Sequence, residues 1–301
     1  MKPVYAAVDW GTSSFRLWLL GEDGQVLGER RSHEGMMHCA SAGFAPVLDG
    51  HLQALHAEPS LPVIICGMAG ARQGWQEAGY LDTPASLDAL VQTAVPVEGV
   101  SRDIRILPGI AQKLSDRPDV MRGEETQLLG LGLASGLVCM PGTHSKWVRL
   151  DKGNVESFST FMTGELFAVI SRHSILTHAV GDDADGEAAG PAFLKAVRQA
   201  ASSEVGITSA LFSVRAAQLL GFAGKTDGVA HLSGVLIGAE LAGARAAYGG
   251  AREVTLVASG RLEQLYRAAL NELGVTVTVV DADSAVRRGL FKAARTLWPQ
   301  T

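Results

Sequence analysis

The chain has 301 residues, 47% of them hydrophobic and 19% charged, with 35 glycines and a formal charge of −5. Such a length buries roughly three quarters of the unfolded surface and exceeds what one core usually fills, so two domains are expected in a chain that is neither disordered nor fibrous. A negative balance without a run of Lys or Arg leaves no electrostatic footprint for nucleic acid or an acidic membrane, and points to small-molecule partners.

Residues 4–8 form a short apolar run that predicts a buried strand, followed by a Gly turn and by 14–20, whose alternation predicts a second strand. Glu22-Asp23-Gly24-Gln25 has the residues of a hairpin turn, and 26–31 is the returning strand. Helical spacing follows at 44–56 and 85–94, with an apolar strand at 61–67 between them, the alternation of an α/β layer structure. The stretch 115–119, Ser-Asp-Arg-Pro-Asp, is the most turn-like between the two halves and motivates a boundary between domains 1–120 and 121–301.

The second half repeats this grammar. A helix is expected at 124–134, a buried strand at 137–140, and a second hairpin from 145–150 and 155–161 around Asp151-Lys152-Gly153-Asn154. Helices at 164–173, 190–202, 209–221 and 233–248 lead to a closing strand-helix-strand-helix run at 254–258, 261–273, 275–280 and 284–298. A Gly-Thr turn bordered by strands thus occurs twice, at Gly11-Thr12 and Gly142-Thr143.

Residues 1–3 lead straight into the first strand without a signal-like core, and no apolar run is long enough to cross a bilayer, so a cytoplasmic location is expected. Cys39, Cys66 and Cys139 are far apart and include no C-x-x-C pair, which argues against a disulfide framework or structural zinc.

Asp9 ends a buried strand and is followed by Gly11, Thr12 and Ser13, a small-residue turn able to offer backbone N–H groups and hydroxyls to a phosphate. A carboxylate there suits Mg²⁺, which keeps several waters and takes one or two carboxylates beside substrate phosphates. Gly142 and Thr143, with His144 and Lys146 as further phosphate partners, form the counterpart that would grip the other end of a polyphosphate. Glu124 and Glu125 open a helix just before this second turn. The helix dipole alone favours acids there, but a kinase also needs a carboxylate to accept a hydroxyl proton. Ser259 and Gly260 join a strand to a helix through a turn flat enough for adenine or ribose, and Ser259 also suits an N-cap. Gly224-Lys225-Thr226 is no P-loop, because Leu219 stands where its first Gly belongs. Gly130-Leu131-Gly132 is no dinucleotide turn, because it lies in a helical pattern.

The stretches at 8–13, 67–75, 121–127, 141–147, 161–167 and 232–241 together resemble the 2-dehydro-3-deoxygalactonokinase family of the actin/hexokinase/Hsp70-like ATPase superfamily. Ala69 and the Ser13-Ser14 pair are mild departures from the family pattern. The resemblance implies an α/β fold of two ribonuclease-H-like, actin-like domains flanking a nucleotide and substrate cleft. It also implies ATP and Mg²⁺ as cofactors, and phosphorylation of the terminal hydroxyl of 2-dehydro-3-deoxy-D-galactonate in galactonate catabolism.

On this reading Asp9 holds the metal and Glu124 or Glu125 is the base, with Glu124 preferred. Arg16, Arg72 and Arg122 are candidates for the substrate carboxylate, Arg72 favoured, with Trp10, Gln73 and Trp75 beside the sugar acid. Another keto-deoxy sugar acid, or an actin-like ATPase switch without sugar, is the alternative, and a homodimer is an open option.

Overall fold

The computed structural model describes residues 1–180, 189–202, 206–222 and 224–299; Ala223, inside the dismissed P-loop-like segment, lies outside them. The first half contains β1 (Tyr5–Trp10), β2 (Phe15–Leu20), β3 (Val26–Ser32), α1 (Met36–Ala42), α2 (Phe44–Ala54), β4 (Val63–Gly67), β5 (Tyr80–Asp82), β6 (Ala85–Ser86), α3 (Leu87–Gln92), β7 (Val95–Pro96), β8 (Ile104–Ile106), β9 (Gly109–Leu114), β10 (Arg117–Met121) and α4 (Glu124–Leu131). The second contains β11 (Gly136–Met140), β12 (Ser145–Asp151), β13 (Asn154–Phe161), α5 (Thr163–His173), α6 (Pro191–Ser202), α7 (Ile207–Leu219), α8 (Lys225–Tyr248), β14 (Glu253–Val257), α9 (Gly260–Glu272), β15 (Thr276–Val280) and α10 (Ala282–Leu297).

Contacts divide the chain into two units, Met1–Ser135 with Leu150–Ser157 and Ala282–Thr301, and Gly136–Arg149 with Phe158–Asp281. This differs from a single boundary after residue 120, because the C-terminal helix returns to the first unit. There α10 packs on α4 so tightly that Gly130 lies against the Ala285 carbonyl and Gly289 against the Thr126 carbonyl, with no room for a Cβ. Residues 115–119 are the turn and first residues of a hairpin between β9 and β10, whose register runs from Arg117 opposite Leu114 to Met121 opposite Ile110.

In the first unit the strand order is β3-β2-β1-β4-β8-β7. β1 runs antiparallel to β2 and parallel to β4, and β4 is parallel to β8. Both faces of β1 are covered, which is why the segment reads as a nearly continuous apolar run. Ala6, Val8 and Trp10 point into a core with Leu48 and Leu52 of α2, while α10 packs against β1 and β4. Burying one such Leu or Val side chain contributes about 1.5–3 kcal/mol.

The second unit repeats the order as β13-β12-β11-β14-β15, with β11 parallel to β14 and β14 parallel to β15. Two sheets in the order 3-2-1-4-5 are the expected ribonuclease-H-like, actin-like arrangement. Its core gathers Cys139, Trp147, Phe193, Ile237, Leu256 and Tyr266. The long helix α8 approaches α6 closely through Gly234 and Gly238, which pass over the Phe193 and Val197 carbonyls. Cys39, Cys66 and Cys139 are buried free thiols. Among the described residues no helix is long and apolar enough to cross a membrane.

Candidate active site

The two Gly-Thr turns occupy the same place in the two sheets, each between the central strand and the sheet neighbour that follows it in the chain. In the first unit the turn after β1 closes through the Gly11 N–H, which donates to the Ser14 carbonyl at 2.8 Å. The start of α1 then docks on it, the Met36 and Met37 N–H groups donating to the Gly11 and Thr12 carbonyls, each at 3.0 Å. Thr12, Ser13 and Ser14 stay exposed, so their hydroxyls remain available above a fixed loop.

Asp9, one residue before the end of β1, is only 13% exposed and forms an ion pair with Arg16 on β2. Arg16 is held on its other side by Asp283 at the start of α10, and Asp283 also binds Arg31 at 2.7 Å. Burial pushes the Asp9 carboxyl above its ordinary range, and the Arg16 charge opposes that shift. The second Asp9 oxygen accepts from the Cys66 thiol at 3.8 Å. Arg16, expected to meet a substrate carboxylate, is thus saturated by two carboxylates of its own unit.

Glu124 and Glu125 separate sharply. The Glu125 side chain is fully buried; it accepts a hydrogen bond from the Gly123 N–H at 2.6 Å and another from the Thr126 hydroxyl at 3.1 Å. Burial, reinforced by the neighbouring Glu124 charge, pushes it up to about 8. Glu124 is half-buried and accepts from the Arg122 N–H at 3.2 Å.

The other expected sugar contacts fall into two groups. Trp10 is a correction: its indole is wholly enclosed, donates to the Glu34 carbonyl at 3.0 Å, and packs edge-on against Phe15, Phe44 and Trp75, so it belongs to the core. Trp75 stacks on Phe44 at 5.9 Å and lines a cavity of about 480 Å³ with Asp49 and Arg102. Arg122 lies under the Tyr80 ring at 4.4 Å and donates to the Gly79 carbonyl at 2.7 Å, its Nε and Nη1 buried without a hydrogen-bond partner among the described residues. Arg72 and Gln73, just past the single helical turn Met68–Gly70, are exposed.

In the second unit Gly142, Thr143 and His144 form the turn between β11 and β12. The start of α5 rests on it: the Glu165 N–H donates to the Thr143 carbonyl at 3.0 Å, and Gly164 lies directly against Gly142. Lys146 is buried on β12, with its ammonium 3.3 Å from the His144 carbonyl. Beside the turn opens a cavity of about 320 Å³ lined by Gly142, Thr163, Ser233, Arg261, Leu265 and Tyr266. Ser259 and Gly260 begin α9; Gly260 has a φ of 61°, and the Ser259 hydroxyl donates to Asp281 at 2.6 Å instead of capping the helix.

The sequence profile of the 2-keto-3-deoxy-galactonokinase family matches residues 9–293. The chain belongs to that family. It is 60% identical over 300 residues to "Probable 2-dehydro-3-deoxygalactonokinase DgoK1" of Rhizobium meliloti (strain 1021), covering 98% of each chain. It is 35% identical over 296 residues to the 2-dehydro-3-deoxygalactonokinase of Escherichia coli (strain K12), again covering 98% of each. The crystal structure of "a putative 2-dehydro-3-deoxygalactonokinase protein from Sinorhizobium meliloti" matches with a TM-score of 0.95 at 59% identity, covering 98% of this chain and 100% of that one. Membership makes the protein a kinase, which sets aside the switch reading.

Three polar residues of the kinase escaped sequence reasoning. Asp283 closes the Arg16 pair from 267 positions away. Glu165 meets the His144 imidazole. Glu240, on α8, is buried and receives hydrogen bonds from Trp147 at 2.8 Å, from Tyr266 at 2.6 Å and from Thr163. Burial raises its carboxyl above the ordinary range. A lone acid inside the apolar run at 235–241 was its only signal.

Proposed function

We propose that this kinase transfers the terminal phosphoryl group of ATP to the 6-hydroxyl of 2-dehydro-3-deoxy-D-galactonate, as in galactonate breakdown. The single observation that carries the reading is the doubled strand, Gly-Thr turn, strand unit on two sheets of one order, with Asp9, Glu124 and Glu125 in the first unit. The Gly142-Thr143 turn holds phosphate through its N–H groups and hydroxyl, with His144 and Lys146 as further partners, and the turn of the first unit, Gly11, Thr12 and Ser13, offers groups of the same kind. The cavity beside Gly142 takes the adenosine, with Ser259 and Gly260 at its helix start.

Glu124 accepts the proton of the sugar hydroxyl, since Glu125 is sealed and held by its own chain. Arg72, with Gln73 and Trp75 nearby, receives the substrate carboxylate, because Arg16 is occupied by Asp9 and Asp283. The Asp9 oxygen turned from Arg16 fits a hydrated Mg²⁺, which asks for few protein carboxylates. When bound, Mg²⁺ neutralises phosphate charge. The chain's own residues then supply mostly position, which is what phosphoryl transfer requires.

An ADP-release assay across a panel of 2-keto-3-deoxy sugar acids tests the reading. Turnover is expected to depend on the acid, with the highest kcat/KM for the D-galactonate derivative. ADP release that is equally fast without any sugar acid would overturn it.

A further inference from the structure

His144, a phosphate partner in the proposed chemistry, is paired with Glu165, to which that chemistry gives no role. The imidazole Nε2 and the Glu165 carboxylate lie at hydrogen-bond distance, both side chains about half exposed. No other side-chain partner of His144 exists among the described residues, so Nδ1 is left open. The pair is anchored twice to the second Gly-Thr turn: His144 is its last residue, and the Glu165 N–H grips the Thr143 carbonyl at 3.0 Å. Gly164 has no Cβ, and its Cα lies against Gly142, so the first turn of α5 cannot lift from the loop without losing that contact.

A bare carboxylate beside a phosphate turn would repel the ligand, whereas one spent on an imidazole fixes the ring and removes that penalty. A histidine whose one nitrogen is bound by a carboxylate has its orientation set, and its other nitrogen aimed. Only the doubly protonated ring donates from both nitrogens at once.

We propose that Glu165 is a positioning residue for phosphoryl transfer, aiming His144 as a two-sided donor whose Nδ1–H meets a phosphate oxygen held at the Gly142-Thr143 turn. The inference rests on the kinase reading above. It adds a specific residue with a specific partner, and it requires that Glu165 matter only through His144.

The test is a double-mutant cycle of Glu165→Gln, His144→Gln and the double variant, read as kcat/KM for ATP at saturating sugar acid. The Gln at 165 keeps an acceptor for the ring and removes the charge. Each single change is expected to cost about 10–100-fold, the size found for residues that orient a functional ligand from behind. The double variant is expected to lose no more than His144→Gln alone, because residues acting as one unit are non-additive. Fully additive losses would overturn the proposal. If a variant misfolds, imidazole ¹⁵N shifts of the parent with a non-hydrolysable ATP analogue replace it. Two protonated nitrogens on His144 support the assignment, and an unprotonated Nδ1 ends it. A parent that releases ADP without regard to sugar acid would instead overturn the kinase reading itself, so the two failures are distinct.

Discussion

Replacing Glu125 with Gln is expected to make the protein relatively more stable as the pH rises. The carboxyl is fully buried, and burial, then the Glu124 charge, moves it from 4.5 to about 8 in the fold. In the unfolded chain it titrates at its ordinary value. Between those two values the folded state keeps a proton that the unfolded state has released, so stability falls by 1.36 kcal/mol per pH unit. The contribution is whole below 4.5 and is lost as the pH climbs through about 8. A window of about 3.5 pH units then amounts to roughly 5 kcal/mol, an upper figure because the ends of the titration are rounded. The Gln side chain has the same shape, offers a carbonyl to the Gly123 N–H, and never ionises. Urea denaturation of parent and variant at pH 5, 6, 7, 8 and 9 reads the effect as a growing difference that levels near the top of the range. A flat difference across the series would show that Glu125 is ionised in the fold, and it would restore that residue as a candidate base.

Four further outcomes are expected. Glu124→Gln should lower kcat by about two to four powers of ten with little change in stability, as for loss of a general base, and turnover near the parent value would remove Glu124 from that role. Asp9→Asn should raise the Mg²⁺ concentration needed for half-maximal rate, whereas unchanged metal dependence would exclude it from the metal shell. Gly130→Ala should destabilise by about 1–3 kcal/mol or more, since its Cβ would strike the Ala285 carbonyl, and a denaturation midpoint equal to the parent's would contradict the packing of α4 on α10. Glu240→Ala should cost at least about 3 kcal/mol, because Trp147, Tyr266 and Thr163 each lose a buried acceptor; a loss below about 1 kcal/mol would mean that water replaces it.

Legibility in the sequence followed the range of the interactions. Strands β1 to β3 and the hairpin β12–β13 were readable because runs of apolar residues meet turn residues within a few positions. The short strands β7 and β8 have two and three residues, too few for a period to show. β10 hid behind Pro118 and its charges, which an exposed edge strand tolerates. α10 was visible as a stripe, but its docking on α4 depends on Gly130 meeting a helix more than 150 positions away, which no local pattern encodes. The site divides similarly. Asp9 and both Gly-Thr turns are local features, whereas Asp283 and the choice between adjacent glutamates depend on burial. Trp10 was recoverable in principle: strand parity places it with Ala6 and Val8 in the core and Asp9 on the other face.

The duplicated scaffold explains why the chemistry is unevenly spread. With Gly11 matched to Gly142, the position of Asp9 is occupied by Met140, that of Ser13 by His144, and that of Arg16 by Trp147. In place of the ion pair of the first unit stands a hydrogen bond, Trp147 donating to the buried Glu240 at 2.8 Å. One copy holds charged groups at the end of its central strand, as metal and proton chemistry needs. The other offers an open turn, an imidazole and a cavity lined largely by apolar side chains, which suit the phosphate chain and the flat base of a nucleotide. The two sets could not be exchanged freely, since Met140 and Trp147 are buried and Trp147 belongs to the core of the second unit, where a guanidinium would lie among apolar side chains. In the first unit Asp9 and Arg16 stand apart from the apolar core, whereas in the second the matching Trp147 is part of it, so one strand order is used twice with different work assigned to the same positions.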